Sequence, residues 1–382
     1  MKTDKIELYI HIPFCVSKCR YCDFLSFSSD GDTVRKYTDA LIREISSKKN
    51  KENITDTIFI GGGTPSLLDV KYIKEIFDSL YDDFNISDDA EITIEANPGT
   101  ITKEKAKAYA ELGINRVSMG LQSADNEALK KLGRIHDFNH FLESYDILRN
   151  EGMSNINVDI MSGLPGQSVA KYEETLCKVC DVNPEHISAY SLIVEEGTPF
   201  YQMYNPVDGL RRDELPDEDS EREQYYMTRD ILKDAGYFRY EISNYSKPGY
   251  ECRHNTGYWR GVPYIGMGLG ASSLWNGTRY NNTGDMSEYI RCSMKPDSIA
   301  ENVQKLTDTD KMEEFMFLGL RMTEGIQISE FYEKFGVTVN EVYGEVIKKY
   351  SDMKMLEING ENMKLTDKGV DVSNIIFADF IL

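Results

Sequence analysis

The chain has 382 residues, with 43 Lys plus Arg against 64 Asp plus Glu and a formal net charge of -21. A chain without a net positive field is repelled by a phosphate backbone, which argues against a nucleic-acid partner. Hydrophobic residues make up 41% of the sequence and aromatic residues 11%, which is enough for a sizeable core and excludes a wholly disordered chain.

The length suggests two domains, or one large α/β domain with an appendage. Nowhere does the sequence approach the ~18 to 20 uncharged apolar residues of a membrane span. The first residues lead into a strand pattern instead of the long apolar region of a signal peptide. We therefore expect a cytoplasmic protein.

Six segments with the apolar pattern of buried parallel strands alternate with amphipathic helical segments. The predicted strands are residues 6–12, 57–60, 91–95, 116–121, 155–161 and 186–194. The predicted helices are residues 34–47, 70–80, 103–112, 138–150, 169–180 and 221–234. Six successive βα units indicate an α/β fold with a parallel sheet, which right-handed crossovers would curl into a whole or partial TIM-like (β/α) barrel. A doubly wound open sheet is the alternative.

The pattern changes after the sixth strand. Residues 195–223 are rich in Pro and Asp and predict a solvated loop, and residues 237–242 regain strand character. From about residue 306 the sequence predicts three helices and a hairpin, at 310–321, 328–335, 339–350 and 355–365. We expect a barrel domain with its extension at 1–305 and a small helical, winged-helix-like domain at 306–382. The second domain lacks the basic face of a DNA-binding module.

Three of the seven cysteines, Cys15, Cys19 and Cys22, share one short segment. Their C-x3-C-x2-C spacing follows the first predicted strand and does not suit a spread disulfide framework. Three thiolates in one tight loop can hold three irons of a four-iron cluster and leave the fourth iron open to a chelating ligand. Zinc is the weaker alternative, because a structural zinc needs a fourth ligand and the nearest candidates are His11 and the distant Cys177.

Several motifs together resemble the radical S-adenosylmethionine (SAM) enzymes. Besides the cysteine loop, the matching segments are residues 61–67, 95–99, 120–123, 157–165 and 254–259. Within that superfamily the sequence resembles the oxygen-independent coproporphyrinogen III oxidase group, and most closely its HemW branch of heme chaperones. The resemblance covers nearly the whole chain. It implies a radical SAM barrel followed by a C-terminal domain of the HemN/HemW type.

The resemblance also implies a [4Fe-4S] cluster on the three cysteines and SAM bound beside it. The residues that it assigns to SAM are Tyr9, Tyr21, Gly62, Gly63, Thr64, Glu95, Gln122, Arg134 and Asp159. In the family, the glycine segment holds the methionine amino group, Glu95 binds the ribose hydroxyls and the backbone of Tyr21 contacts the adenine. Each assignment has a structural alternative. The glycines could form only a tight turn, and Glu95 could be a strand-end carboxylate in a salt bridge. Tyr9 and Tyr21 could be aromatic residues of the core, and Gln122, Arg134 and Asp159 could form a polar network whose hydrogen bonds are all satisfied.

The positions of these residues along the predicted strands support one shared site. The cysteine loop follows strand one, the glycines follow strand two, and Glu95, Gln122 and Asp159 lie at or near the ends of the next three strands. The carboxyl ends of parallel strands meet at one rim, where barrel active sites lie. Glycine lets the backbone approach a ligand closely, and a carboxylate can accept hydrogen bonds from two hydroxyls.

The segment at residues 253–259 is too polar for an ordinary core strand. His254 is a candidate heme ligand, and Tyr258 with Trp259 could cover a porphyrin face. The segment resembles the H-N-x-x-Y-W motif of the heme chaperones. Cys252 is a second candidate ligand, and the structural alternative is a histidine that holds a loop. Cys177 and Cys180 share one side of a predicted helix and are expected in the core.

The favoured function is a heme chaperone that binds heme and passes it to acceptor hemoproteins. The alternatives are the radical SAM decarboxylation of coproporphyrinogen III and a radical SAM enzyme acting on heme. The decarboxylases carry a fourth cysteine where this chain has Phe24, and they carry a longer segment before the cluster loop; both departures favour the chaperone. Catalytic residues, SAM cleavage, a homodimer and peripheral membrane association through partners are left open.

Overall fold

The computed structural model describes residues 5–205 and 207–382. The first part alternates strands and helices: β1 (Lys5–Ile12), α1 (Gly31–Ser47), β2 (Asn50–Gly62), α2 (Val70–Asp83), β3 (Phe84–Ala96), α3 (Lys103–Glu111), β4 (Arg116–Gln122), α4 (Asn126–Leu132), α5 (Phe138–Asn150), β5 (Ile156–Ser162), α6 (Val169–Val182) and β6 (His186–Ser191). Each helix carries the chain back so that the next strand pairs in parallel with the previous one, as the six predicted βα units require.

Shorter elements follow β6. They are α7 (Pro199–Tyr204), α8 (Glu218–Asp234), β7 (Phe238–Arg239), β8 (Asn244–Ser246), α9 (Arg253–Trp259), β9 (Tyr264–Met267), β10 (Ser272–Trp275), β11 (Thr278–Asn282), α10 (Met286–Cys292), α11 (Pro296–Ile299) and β12 (Ala300–Lys305). The strands form one sheet in the order β12-β11-β10-β9-β1-β2-β3-β4-β5-β6-β8-β7. β9 pairs in parallel with the outer edge of β1, and β8 pairs antiparallel with β6.

The six central strands therefore form a partial barrel whose two edge strands pair with different neighbours. Along β1, the apolar side chains Ile6, Leu8, Ile10 and Ile12 are fully buried against the surrounding helices, and the alternating residues face the interior. The helices begin at side-chain caps; Asp30, for example, accepts a hydrogen bond from the Thr33 N–H at 2.8 Å. The α/β prediction with a parallel sheet is confirmed.

The C-terminal part contains α12 (Asp308–Gly319), β13 (Ile326–Gln327), α13 (Ile328–Phe335), α14 (Val339–Asp352), β14 (Leu356–Asn359), β15 (Asn362–Leu365), α15 (Asp367–Val370) and α16 (Ser373–Ala378). A separate hydrophobic core forms around Met316, Phe331, Tyr343 and Met363. The first three of these helices, with the small antiparallel sheet, correspond to the predicted winged-helix-like arrangement. No helix of the described chain is both long and apolar enough to span a membrane.

Two local predictions are wrong. The segment at 195–223 is not one solvated loop: it contains α7 and the start of α8, and Phe200 and Tyr204 are buried in a small core of their own. Pro206, inside that prediction, lies outside the described residues. The strand expected at 237–242 is reduced to the short β7, because the chain turns back at once to pair with β8.

Candidate functional site

One cavity of about 670 Å³ occupies the interior of the partial barrel and opens at the carboxyl ends of its strands. Its wall includes every residue predicted for the cluster and for SAM: Tyr9, Cys15, Cys19, Tyr21, Cys22, Gly62, Gly63, Thr64, Glu95, Gln122, Arg134 and Asp159. These residues come from five strands and the loops that follow them. The structure therefore brings the predicted set together.

The cysteine loop runs from the end of β1 to α1. Cys15, Cys19 and Cys22 are partly exposed free thiols. The Cys15 Sγ lies 3.5 Å from the Thr64 hydroxyl, and an Arg134 guanidinium N–H donates to the Cys19 Sγ at 3.5 Å. Thr64 and Arg134 thus place polar groups beside two of the three sulfur atoms.

The three cysteines of the loop do not converge on one point in this structure. Within residues 5–205 and 207–382, no three His, Cys, Asp or Glu side chains converge as ligands of one metal ion. A four-iron cluster does not need such convergence, since each cysteine ligates a different iron.

The glycine segment after β2 packs directly against the cysteine loop. A Cβ at Gly63 would lie 2.8 Å from the Phe14 carbonyl oxygen and 3.0 Å from the Cys15 Sγ. Gly62 has a φ of 115° and faces the His11 ring, which a Cβ would meet at 2.6 Å. Both positions thus need glycine, and both line the cavity.

Glu95 closes one side of this segment. Its Oε2 accepts a hydrogen bond from the Gly62 N–H at 3.0 Å. Burial, reinforced by the nearby carboxylate of Asp159, raises the pKa of Glu95 to about 8. Asp159 accepts from the Asn157 amide at 2.7 Å, and burial raises its pKa as well. Two buried carboxyls therefore face a cavity in which hydroxyl or cationic groups of a ligand would stabilise their charged forms.

The remaining predicted SAM residues are held by hydrogen bonds inside the barrel. Gln122, with a φ of 71°, accepts from the Tyr190 hydroxyl at 3.1 Å. Arg134 donates to the Gly120 carbonyl oxygen at 2.5 Å, and the Tyr9 hydroxyl lies 3.0 Å from the His11 Nδ1. Burial raises the pKa of Tyr9 and Tyr21, so both phenols stay neutral. Their roles toward SAM remain predictions.

The predicted heme segment is the helix α9. His254 is 1% exposed, its Nδ1 lies 2.6 Å from the Thr57 hydroxyl and its Nε2 lies 2.9 Å from the Tyr258 hydroxyl. Burial lowers the pKa of His254 to about 3, so the ring is neutral. Both nitrogens are engaged with protein groups, and iron could bind only after one of these contacts is broken.

The structure does not bring the three predicted heme residues to one surface. His254 and Tyr258 border the central cavity. Trp259 instead packs on Arg321 of the C-terminal part, whose guanidinium carbon lies 4.2 Å from the ring centroid, and joins a small core with Cys252 and Tyr240. Cys252 is fully buried, and its Sγ donates a hydrogen bond to Glu91. Burial raises the pKa of the Cys252 thiol to about 12.

The paired cysteines on α6 lie away from the cavity. Cys177 is exposed and Cys180 is half-buried. The expectation that both belong to the core is wrong for Cys177, because its side of the helix faces solvent.

Arg116 is a charged residue of the cavity wall that the sequence analysis did not predict. Arg116, the first residue of β4, is 2% exposed and lines the cavity, and its buried Nε has no hydrogen-bond partner among the described residues. Its charge acts on Glu95 and Asp159 and lowers their pKa in opposition to burial. The polar residues Arg116, Ser118 and Gln122, which alternate with Val117, Met119 and Leu121 along β4 apart from Gly120, were the available signal, because alternation in a strand marks one face.

Comparison with known proteins agrees with this arrangement. Residues 9–179 match the model of the Radical SAM superfamily, and residues 306–372 match the HemN C-terminal domain. The heme chaperone HemW of Lactococcus lactis is 36% identical over 374 residues, 98% of this chain and 97% of that protein. The heme chaperone HemW of Bacillus subtilis is 35% identical over 376 residues, 98% of each.

Among solved structures, the fold is similar to that of coproporphyrinogen III oxidase (HemN) from Escherichia coli. The TM-score is 0.86 at 21% sequence identity, and the match covers 99% of this chain and 90% of that chain. At this level of identity the likeness shows a shared fold.

Proposed function

The chain belongs to the HemW family of heme chaperones within the radical SAM superfamily, and from this premise we propose that it binds heme and transfers it to acceptor hemoproteins. Membership of the superfamily implies a [4Fe-4S] cluster and SAM. The observation that carries the proposal is the cavity itself, because the cysteines and the groups suited to SAM line the same cavity. The acidic chain is proposed to act in the cytoplasm, without nucleic acid.

We propose Cys15, Cys19 and Cys22 as the ligands of three irons, with Thr64 and Arg134 placed to stabilise the sulfur atoms. Gly62 and Gly63 leave room for the amino acid part of SAM beside the cysteine loop, since any side chain there would collide with His11 or Cys15. When bound, the cluster with SAM supplies one-electron chemistry. The residues of this chain position SAM and exclude water from it.

Glu95 is proposed to hold the ribose, with Tyr9, Tyr21, Gln122, Arg134 and Asp159 around the rest of SAM. Glu95 already accepts a hydrogen bond from the Gly62 N–H through Oε2, which orients the carboxyl group, and we propose that Oε1 accepts one from a ligand hydroxyl. The sulfonium of SAM is a cation, and the cavity offers it the carboxyl groups of Glu95 and Asp159.

The residues that hold heme are proposed separately from the heme-binding function itself. His254, Tyr258 and Trp259 remain the prediction from the sequence. Their arrangement in α9 sets a condition on it, because the His254 ring would have to give up Thr57 or Tyr258 to bind iron.

The domain boundary at 305/306 is likewise a proposal. It is supported by the separate core around Met316 and Phe331 and by the match of residues 306–372 to the HemN C-terminal domain.

Heme titration of the anaerobically reconstituted protein tests the proposed function. We expect one equivalent of hemin per chain, with a saturable change in the Soret band. A variant with Cys15, Cys19 and Cys22 changed to Ser should lose iron and sulfide, whereas the matched control Cys177→Ser, at an exposed thiol outside the cavity, should keep both. Absence of saturable heme binding, together with conversion of coproporphyrinogen III in the presence of SAM, would replace the chaperone with the decarboxylase.

A further inference from the structure

Four large apolar side chains are exposed at the mouth of the central cavity. Val16 and Phe24 lie in the cysteine loop and are 59% and 64% exposed, while Ile135, between α4 and α5, and Ile193, after β6, are 66% and 68% exposed. We call these four residues the apolar collar. Single exposed apolar side chains are common, but four from three loops that border one opening form the kind of patch that marks a binding site.

The collar differs in chemistry from the cavity beneath it. Below the mouth the wall carries the charged residues Glu95, Arg116 and Asp159, whereas the rim offers an aromatic ring and three branched aliphatic side chains. A ligand that fits both must be broad and apolar where it meets the rim. A flat macrocycle meets this requirement, since aromatic and aliphatic side chains stack against its faces.

The charges around the rim are more favourable for a ligand with two carboxylates than the net negative charge of the whole chain is. Lys18 and Arg20 are exposed in the same loop as Phe24; the Lys18 Nζ donates to the Phe24 carbonyl oxygen at 2.9 Å. The Arg20 side chain packs against Gly133, because a Cβ added to Gly133 would lie 3.2 Å from the Arg20 Cγ. Asp23 and Glu195 also line the mouth. Two cations against two carboxylates leave this rim locally balanced on a chain of net charge -21.

We propose that the apolar collar is the tetrapyrrole-binding surface of this protein. The macrocycle lies over the mouth of the cavity against Phe24, Ile135 and Ile193, and its propionates point toward Lys18 and Arg20. This inference rests on the proposed function and specifies where heme is held. It places heme beside the cysteine loop, on side chains that are already exposed, and it leaves the buried contacts of α9 intact.

The direct test replaces two collar residues that lie outside the cysteine loop. The variant Ile135→Ser with Ile193→Ser should weaken hemin binding by about tenfold to a hundredfold, from the apolar surface that each side chain would bury against the macrocycle. Ile375→Ser is the matched control, because Ile375 is also an isoleucine, is 64% exposed and lies on α16. Its hemin affinity should equal that of the wild type.

A second variant tests the propionate contacts without altering the apolar surface. Lys18→Gln with Arg20→Gln should weaken hemin binding by about tenfold and leave the binding of hemin dimethyl ester unchanged, because the ester has no carboxylates. Iron and sulfide content and the urea midpoint are measured for every variant, so that a damaged cluster or fold is recognised.

The outcomes separate the inference from the function on which it rests. If the wild type shows no saturable hemin binding, the proposed function fails. If the wild type binds hemin and the double isoleucine variant binds it equally well, the collar is not the heme site. Unchanged hemin affinity with slower heme transfer would also overturn the inference, because the collar would then be a docking surface for the acceptor protein.

Discussion

Replacing His254 by alanine should destabilise the fold, because the imidazole links β2 to α9 inside the barrel. The ring lies 2.6 Å from the Thr57 hydroxyl and 2.9 Å from the Tyr258 hydroxyl, and it stacks at 5.2 Å on Phe59. Its removal leaves the buried Thr57 hydroxyl and the half-buried Tyr258 hydroxyl, which borders the cavity, without this partner. At about 1 to 3 kcal/mol for the buried group and less for the half-buried one, the loss of unfolding free energy is about 1 to 4 kcal/mol.

Urea unfolding of the apoprotein, followed by far-UV circular dichroism, measures this loss. His140→Ala is the control, because His140 is an exposed residue that pairs with Asp137 at the start of α5, and its loss should cost no more than about 1 kcal/mol. If both variants unfold at the same urea concentration, the His254 ring is not held as described. The ring would then be free to bind heme iron, and this result would support the sequence prediction that His254 is a heme ligand.

Three further predictions follow from the site. Glu95→Ala should weaken SAM binding by roughly 1.5 to 3 kcal/mol in calorimetry, the range for hydrogen bonds to a charged group, and an unchanged affinity would remove Glu95 from the SAM site. Because burial lowers the pKa of His254 from 6.5 to about 3, the folded state binds fewer protons than the unfolded state between these values. The wild type should therefore lose about 1.4 kcal/mol more stability per pH unit than His254→Gln as the pH falls below 6.5; parallel profiles would contradict this. Under anaerobic reducing conditions with SAM, the protein should not convert coproporphyrinogen III, and porphyrin fluorescence after oxidation would reveal the product if it did.

The sequence predicts the central strands well because parallel strands buried on both sides are rich in apolar residues. The run that becomes β1 is an example, with Ile6, Leu8, Ile10 and Ile12 all fully buried. The cavity residues could be grouped for a related reason, since ligand-binding groups at the carboxyl ends of consecutive parallel strands must meet at one rim. The short strands β9 to β12 gave no such signal, as four to six residues carry too little periodicity.

The arrangement of His254, Tyr258 and Trp259 required the structure. In the helix α9, His254 and Tyr258 are four residues apart and share a face, while Trp259 is turned by roughly 100° away from Tyr258. Two of the three residues therefore border the cavity, and the third packs on Arg321. The sequence alone does not show that this segment is a helix, so three neighbouring residues that are each suited to heme were predicted to form one heme site.

The measurement that tests the central claim most directly is heme transfer to an acceptor. Hemin-loaded protein is mixed with an excess of an apo-hemoprotein, and the absorption spectra of both are followed with time. The chaperone account predicts that the heme bound to this chain is lost while the holo-acceptor appears in equal amount, faster than from free hemin at the same concentration. Retention of heme by this chain in the presence of the acceptor, under conditions where the titration shows saturable binding, would contradict it.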